Sequence, residues 1–235
     1  MSKKIGGSPD SGQAADAGLA PRPRRRRTKF GDWQCNMLEW GAIGRESGRQ
    51  IKEYAQCRAD TGLYRPEGSP AIREAREYLC REMTGLGLEV TRDYAGNIYG
   101  TRPGREPDKA VLTGSHIDTV SGGGQFDGAY GVVAALEVMR RLVKDDYPNR
   151  RPVEMVAFMG EEGSAFSQAL LGSAALAGAM PREDILRLTA FDGRSFEEIV
   201  EAGSPTGLKT IKKDVSDYEY FVEAHIEQGP ILWTE

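Results

Sequence analysis

The chain is 235 residues long, with 39% hydrophobic and 28% charged positions, enough for one sizeable core, or one core with a small appendage, but not for two or three full domains. Acidic residues (35) exceed Lys plus Arg (31), and no apolar run approaches the roughly eighteen residues that span a bilayer, which excludes a membrane-spanning helix. Cys35, Cys57 and Cys80 form neither an even set nor a C-x-x-C pair, so a disulfide framework and a structural zinc knuckle are disfavoured and reduced thiols are expected.

Residues 1–29 carry eight basic side chains against two acids and are rich in Gly, Ala, Pro, Ser and Arg without apolar periodicity. Such a segment cannot bury enough surface to order itself, so a disordered basic tail is expected. The run Arg24 to Arg27 lacks interleaved aromatics and precedes an acidic body, so neither nucleic acid nor a membrane is expected as a partner. No apolar stretch in this tail could serve as the core of a secretory signal, which makes the cytoplasm the expected location.

From Trp33 to about Cys57, scattered apolar positions suggest one or two short helices. Ser69-Pro70 opens a clearer one, with Ile72, Ala75, Leu79 and Met83 at three- and four-residue steps up to Gly85. Leu88 to Thr91 and Asn97 to Gly100, separated by Ala95-Gly96, read as a hairpin closed by Pro103-Gly104. The continuous apolar runs Ala110 to Thr113 and Val153 to Met159 suit central strands covered on both faces. Between them, Val132, Val133, Leu136, Met139 and Val143 follow helical spacing, which gives a βαβ unit. In the stretch from Tyr218 to His225, Tyr218, Tyr220 and Val222 are read as alternating with acids, as in a half-covered strand. The expected fold is an α/β domain with a mixed, largely parallel sheet flanked by helices.

The chain has two histidines, each among carboxylates near a predicted strand end: His116 in Gly114-Ser115-His116-Ile117-Asp118, and His225 in Glu223-Ala224-His225-Ile226-Glu227-Gln228-Gly229. Ligands bind open α/β sheets beyond the strand C-termini, so His116 and the pair Glu161-Glu162 should converge there, joined by the loop Gly122 to Gly128. Adjacent carboxylates after a buried strand are costly without a positive partner. A divalent cation resolves this, and His with Asp/Glu ligands fits zinc, manganese, cobalt or nickel better than calcium or magnesium. Asp118 is placed to accept the free imidazole N–H of His116 and fix its tautomer. Taken singly, each feature also has an ordinary explanation as a satisfied histidine, a solvated turn or a flexible glycine loop; their joint occurrence is what points to a site. Neither G-x-G-x-x-G, a Walker lysine nor a G-x-S-x-G elbow is present.

The segments Gly114 to Val120, Gly123 to Gly128, Glu161-Glu162-Gly163-Ser164, Leu171-Gly172-Ser173 and His225-Ile226-Glu227-Gln228-Gly229-Pro230 resemble, in order, the motifs of the hydantoinase/carbamoylase amidases. That family belongs to the larger group of dinuclear aminoacylases and metallopeptidases. The resemblance runs from about Pro66 to Leu232. It implies that His116, Asp127 and His225 hold one metal, that Asp127 bridges to a second also held by Glu162, and that Glu161 is the general base. Gln228 is a substrate-binding or supporting contact. Histidine at position 225, where related peptidases usually carry a carboxylate, points to the carbamoylase branch. The implied activity is hydrolysis of a carbamoyl or ureido C–N bond in small molecules such as N-carbamoyl amino acids or allantoate. The alternatives are an aminoacylase or dipeptidase of the same group, or a non-catalytic relative.

Family members continue into a lid and dimerisation domain and supply a last histidine ligand from beyond it. The resemblance therefore implies that residues 30–235 form a catalytic domain incomplete at its C-terminal end, that the whole protein is a homodimer, and that the chain alone binds metal poorly and hydrolyses little or nothing. Ala165 stands where the family often has Arg, and Gly160 where it often has an acid.

Overall fold

A computed structural model describes residues 58–59 and 62–231, all within the unit Trp40–Glu235. The basic tail, the helices expected before Cys57, and both Cys35 and Cys57 lie outside the described residues. The two-residue strands β1 (Arg58–Ala59) and β2 (Gly62–Leu63) pair antiparallel. Helix α1 (Pro70–Gly85) begins where the sequence places it: the Ser69 side chain accepts the Ile72 N–H and Pro70 occupies the first turn, where its missing donor costs nothing. Its buried face carries Ile72, Ala75, Leu79 and Met83.

The hairpin is β3 (Glu89–Arg92) with β4 (Ile98–Arg102). Strand β5 (Ala110–His116), helix α2 (Ala129–Lys144) and strand β6 (Val153–Phe158) form the βαβ unit, with β5 and β6 parallel. Helix α2 starts earlier than the apolar pattern suggests, directly after Gly128. Three short helices follow that the sequence analysis did not resolve: α3 (Leu171–Ala177), α4 (Arg182–Leu186) and α5 (Phe196–Gly203). Then come β7 (Lys209–Thr210), a 3₁₀ turn at Val215–Asp217, and β8 (Tyr218–Val222). The six-stranded sheet has the order β7-β3-β4-β6-β5-β8, with β3–β4 and β4–β6 antiparallel and the other three pairings parallel.

Alternation along β6 divides its side chains between two layers. Met155 and Ala157 join the α1 and α2 side chains in one cluster, while Val156 and Phe158 pack with Tyr99, Leu112 and Leu176 on the other face. Both faces are thus covered at the centre of the sheet, as the continuous apolar runs require. A third cluster, including Phe166, Leu171, Phe196 and Ile199, unites the three short helices. Cys80 is a free, buried thiol whose pKa burial pushes up to about 12. Among the described residues no helix is long and apolar enough to cross a membrane.

Strand β8 departs from expectation. It ends at Val222, three residues before His225, and instead of being half covered it exposes Tyr220 (60%), Phe221 (48%) and Val222 (58%). The alternation is broken in the sequence itself, where Tyr220, Phe221 and Val222 run consecutively, and β8 pairs only with β5 among the described strands, so that beyond the edge-on contact of Phe221 with Phe158 little covers its outer residues. It is anchored at its start, where the Tyr218 hydroxyl donates to the buried Glu154 at 3.2 Å and Lys213 donates to the same carboxylate at 2.8 Å.

The hairpin turn holds a buried polar network. Asp93 accepts from Ala95 N (2.9 Å), Asn97 N (3.0 Å), Asn97 Nδ2 (2.8 Å) and the Tyr99 hydroxyl (2.8 Å). Burial raises the Asp93 pKa, and the hydrogen bonds from Asn97, Tyr99 and Ala95 only partly offset this. A carboxylate with a raised native pKa takes up a proton more readily folded than unfolded, so its contribution to stability is fully present in acid and is lost as pH rises through the native pKa. In urea unfolding, the stability difference between wild type and Asp93→Asn should accordingly shift against wild type between about pH 4 and about pH 7. A difference that grows in favour of wild type over that range would contradict the raised pKa.

Candidate metal centre

Beyond the C-terminal end of the parallel pair β5 and β6, three loops meet. His116 is the last residue of β5, Asp127 lies just before α2, and Glu161 and Glu162 follow β6. His225 enters from the chain beyond β8. Ligand atoms of His116, Asp127 and His225 lie within 4.8 Å of one another, and so do those of His116, Glu161 and Glu162. The sheet thus brings together all five residues singled out from the sequence as metal ligands or base. The residue common to the two groups is His116, whereas the family resemblance implies Asp127 as the shared ligand. One Asp127 oxygen instead accepts from Gln228 Nε2 at 2.6 Å, while the other faces His225 Nε2 at 3.4 Å.

Glycines make this approach possible. Gly128 has φ +61, and a Cβ there would come within 2.4–2.5 Å of three ring atoms of His116. At Gly131 a Cβ would meet the Ala224 carbonyl at 2.6 Å, so the first turn of α2 packs directly on the backbone that delivers His225.

Asp118, fully buried, addresses both sides of the centre. His116 Nδ1 faces the Asp118 carbonyl at 3.1 Å and its carboxylate at 3.4 Å. The same carboxylate accepts the Glu161 N–H at 3.3 Å and the Glu162 N–H at 3.1 Å. His116 Nε2 lies 3.5 Å from Glu161 Oε2. Burial works against protonation of His116, but Asp118 and Glu161 outweigh it and its pKa is raised to about 9. Burial raises the pKa of Glu161 and of Glu162, with His116 opposing the rise and the neighbouring acids adding to it.

These residues suit a cation. Asp127 Oδ1 is buried without a hydrogen-bond donor among the described residues, and the carboxylates of Asp118, Asp127, Glu161 and Glu162 converge on the imidazoles of His116 and His225. Imidazole nitrogen with carboxylate oxygen is the donor set of borderline divalent metals. A cavity of about 470 Å³ opens beside His116, Glu161 and His225, walled by Leu112, Phe158 and Phe221.

Two further residues were not singled out from the sequence. Arg65, buried in the segment before α1, donates from Nε to the Ile117 carbonyl (2.9 Å) and from its backbone N–H to Thr119 Oγ1 (2.8 Å). Glu67 accepts the Gly160 N–H at 2.9 Å. Their setting among Tyr64, Pro66, Gly68 and Ser69 reads as a polar loop; only the pairing of an acid at 67 with a helical Arg76 could have hinted at burial.

The histidines and acids thus gather at the C-terminal edge of the parallel strands of a mixed sheet, where open α/β sheets bind their ligands. The chain belongs to peptidase family M28, whose sequence profile matches residues 97–230. It is 39% identical to an N-carbamoyl-L-amino-acid amidohydrolase of Paenarthrobacter aurescens, across 80% of this chain and 46% of that protein. It is 38% identical to an allantoate deiminase of Arabidopsis thaliana, across 74% of this chain and 34% of that protein. A solved hydantoinase/carbamoylase family amidase from Burkholderia ambifaria superposes with a TM-score of 0.74 at 33% identity, covering 81% of this chain and 47% of its own. The chain therefore spans less than half the length of these relatives, and the motif resemblance is met within that span.

Proposed function

We propose that this chain carries the metal-binding part of an amidohydrolase that cleaves the carbamoyl or ureido C–N bond of small substrates such as N-carbamoyl amino acids or allantoate. The observation that carries this reading is the convergence of His116, Asp127, Glu161, Glu162 and His225 at one sheet edge; the names borne by the relatives supply the substrate class. His116, Asp127 and His225 would hold one divalent ion, and Glu162 with Asp127 a second, of zinc, manganese, cobalt or nickel. Bound there, such ions supply Lewis-acid polarisation of the substrate carbonyl and lower the pKa of water.

The chain's own residues supply the proton traffic. Glu161, its pKa raised by burial, is a better proton acceptor near neutral pH than an ordinary carboxylate. It takes the proton from the attacking water and returns it to the departing nitrogen, and the carbamate left behind decays to carbon dioxide and ammonia. Asp118 holds His116 and the Glu161-Glu162 backbone in one frame. Gln228, bonded to Asp127, orients that carboxylate or a substrate group beside it.

The test is ammonia release from N-carbamoyl amino acids and from allantoate by the full-length protein that carries this chain, supplied with manganese, cobalt or zinc. Release that depends on added metal is expected. Cleavage of N-acyl amino acids or dipeptides without ammonia release from ureido substrates would assign it to the peptidase side of its family instead.

A further inference from the structure

The loop after β6 is held in an unusual way. Four consecutive backbone N–H groups are each accepted by a buried side-chain oxygen from elsewhere in the chain. Met159 donates to Asn97 Oδ1 (2.9 Å), Gly160 to Glu67 Oε1 (2.9 Å), Glu161 to Asp118 Oδ1 (3.3 Å) and Glu162 to Asp118 Oδ2 (3.1 Å). On the carbonyl side, the Leu171 N–H donates to Gly160 O at 3.2 Å and the Leu170 N–H to Glu161 O at 2.9 Å. Of the acceptors, Glu67 is the one without an evident structural need. It is 3% exposed and meets the fully buried Arg76 at 2.7 Å, and Arg76 also donates to the Gly203 carbonyl at 3.3 Å.

A buried ion pair is weak evidence of a stabilising device, because apolar side chains of similar volume often serve the fold as well or better. Here the pair is also imperfectly satisfied: Glu67 Oε2 and Arg76 Nε have no hydrogen-bond partner among the described residues. What an apolar pair could not supply is an acceptor for the Gly160 N–H. Gly160 has φ +63 and directly precedes Glu161, so the orientation of its peptide sets where the Glu161 and Glu162 side chains point.

We propose that Glu67, with its charge balanced by Arg76, is a positioning residue that fixes the Glu161-Glu162 loop through the Gly160 N–H. This rests on the reading of Glu161 as base and Glu162 as metal ligand. It concerns residues outside every motif noted above and reaches the centre only through backbone.

Two doubly substituted proteins isolate the acceptor. In Glu67→Gln with Arg76→Met, no charge is left buried and an amide oxygen still faces Gly160; in Glu67→Met with Arg76→Met, the charge is gone and so is the acceptor. Three readouts apply: amide hydrogen exchange of the peptide covering residues 159–163, calorimetric affinity for Mn²⁺ or Zn²⁺, and kcat and KM on an N-carbamoyl amino acid. Relative to the Gln/Met protein, the Met/Met protein should exchange about tenfold faster in that peptide, the effect of losing one buried hydrogen bond. Exchange in β5 should be unchanged. Metal affinity and kcat should fall by a similar factor with KM little altered, whereas a purely structural pair would leave kcat and affinity alike in the two proteins. If Met/Met does not fold, Glu67→Asp keeps the charges but withdraws the acceptor from Gly160 and carries the same expectation against wild type.

Equal exchange in the two folded proteins overturns the proposal, as does faster exchange with unchanged affinity and kcat. If the full-length wild type neither binds metal nor releases ammonia, the proposed function fails, while the exchange contrast between the two variants still decides separately whether Glu67 holds the loop.

Discussion

Glu161→Gln is expected to lower turnover by about 10²–10⁴-fold, the usual contribution of a positioned general base. The exchange is nearly isosteric and leaves the Glu161 N–H free to donate to Asp118. Metal binding should survive, because His116, Asp127, Glu162 and His225 are untouched. The amide cannot take a proton from water, so the loss should fall on kcat rather than KM. Steady-state kinetics with calorimetric metal titration of the same preparation checks both halves. Undiminished turnover would remove Glu161 from the role of base, and loss of metal binding would recast it as a ligand.

Gly128→Ala is the second substitution with a large expected effect, and it acts without removing any functional group. At φ +61 and ψ −46 an alanine sits in a sparsely populated backbone region that costs on the order of 1–3 kcal/mol, and its methyl would stand 2.4–2.5 Å from ring atoms of His116. Contact that close forces either the imidazole or the start of α2 to move, so affinity for Mn²⁺ or Zn²⁺ should fall by about 10–100-fold, as when a ligand loses its support. The neighbouring Gly124 provides the control. Its nearest contact for an added Cβ is 3.9 Å away, at Asp127, and Gly124→Ala should bind metal almost normally. Equal affinity in the two variants would mean that His116 does not depend on the close approach of Gly128.

What could be read from the sequence follows the range of the interactions involved. Helix α1 announces itself through Ser69, Pro70 and four apolar positions within one face, all local signals. The βαβ unit is equally local, and its two buried strands carry His116 and Glu161 to the same edge by topology alone. By contrast, the contact of Asp127 with His225 and Gln228 joins residues about a hundred positions apart, and spacing says nothing about it; ordered motifs resembling a known family supplied that step. Helices α3, α4 and α5 have five to eight residues each, too few turns for periodicity to stand out. Glu67 and Arg65 lay hidden for a different reason. Charged residues in a Pro/Gly/Ser segment are ordinarily solvated, and their burial depends on Arg76 and on the loops after β5 and β6, none of which local pattern can reveal.

The attachment of β8 also has a kinetic consequence. Strands β5 and β6 are joined by a single helix, but β8 pairs with β5 across more than a hundred intervening residues, as in the partners Ala110 and Tyr218. Pairings between distant segments form late, because the entropy of closing the long loop must be met before the contacts that reward it exist. By this argument His225, carried in beyond β8, is expected to reach His116, Asp127 and the Glu161-Glu162 pair after they have gathered. A refolding chain should acquire its two imidazoles in succession, with docking of β8 as the event that completes the centre.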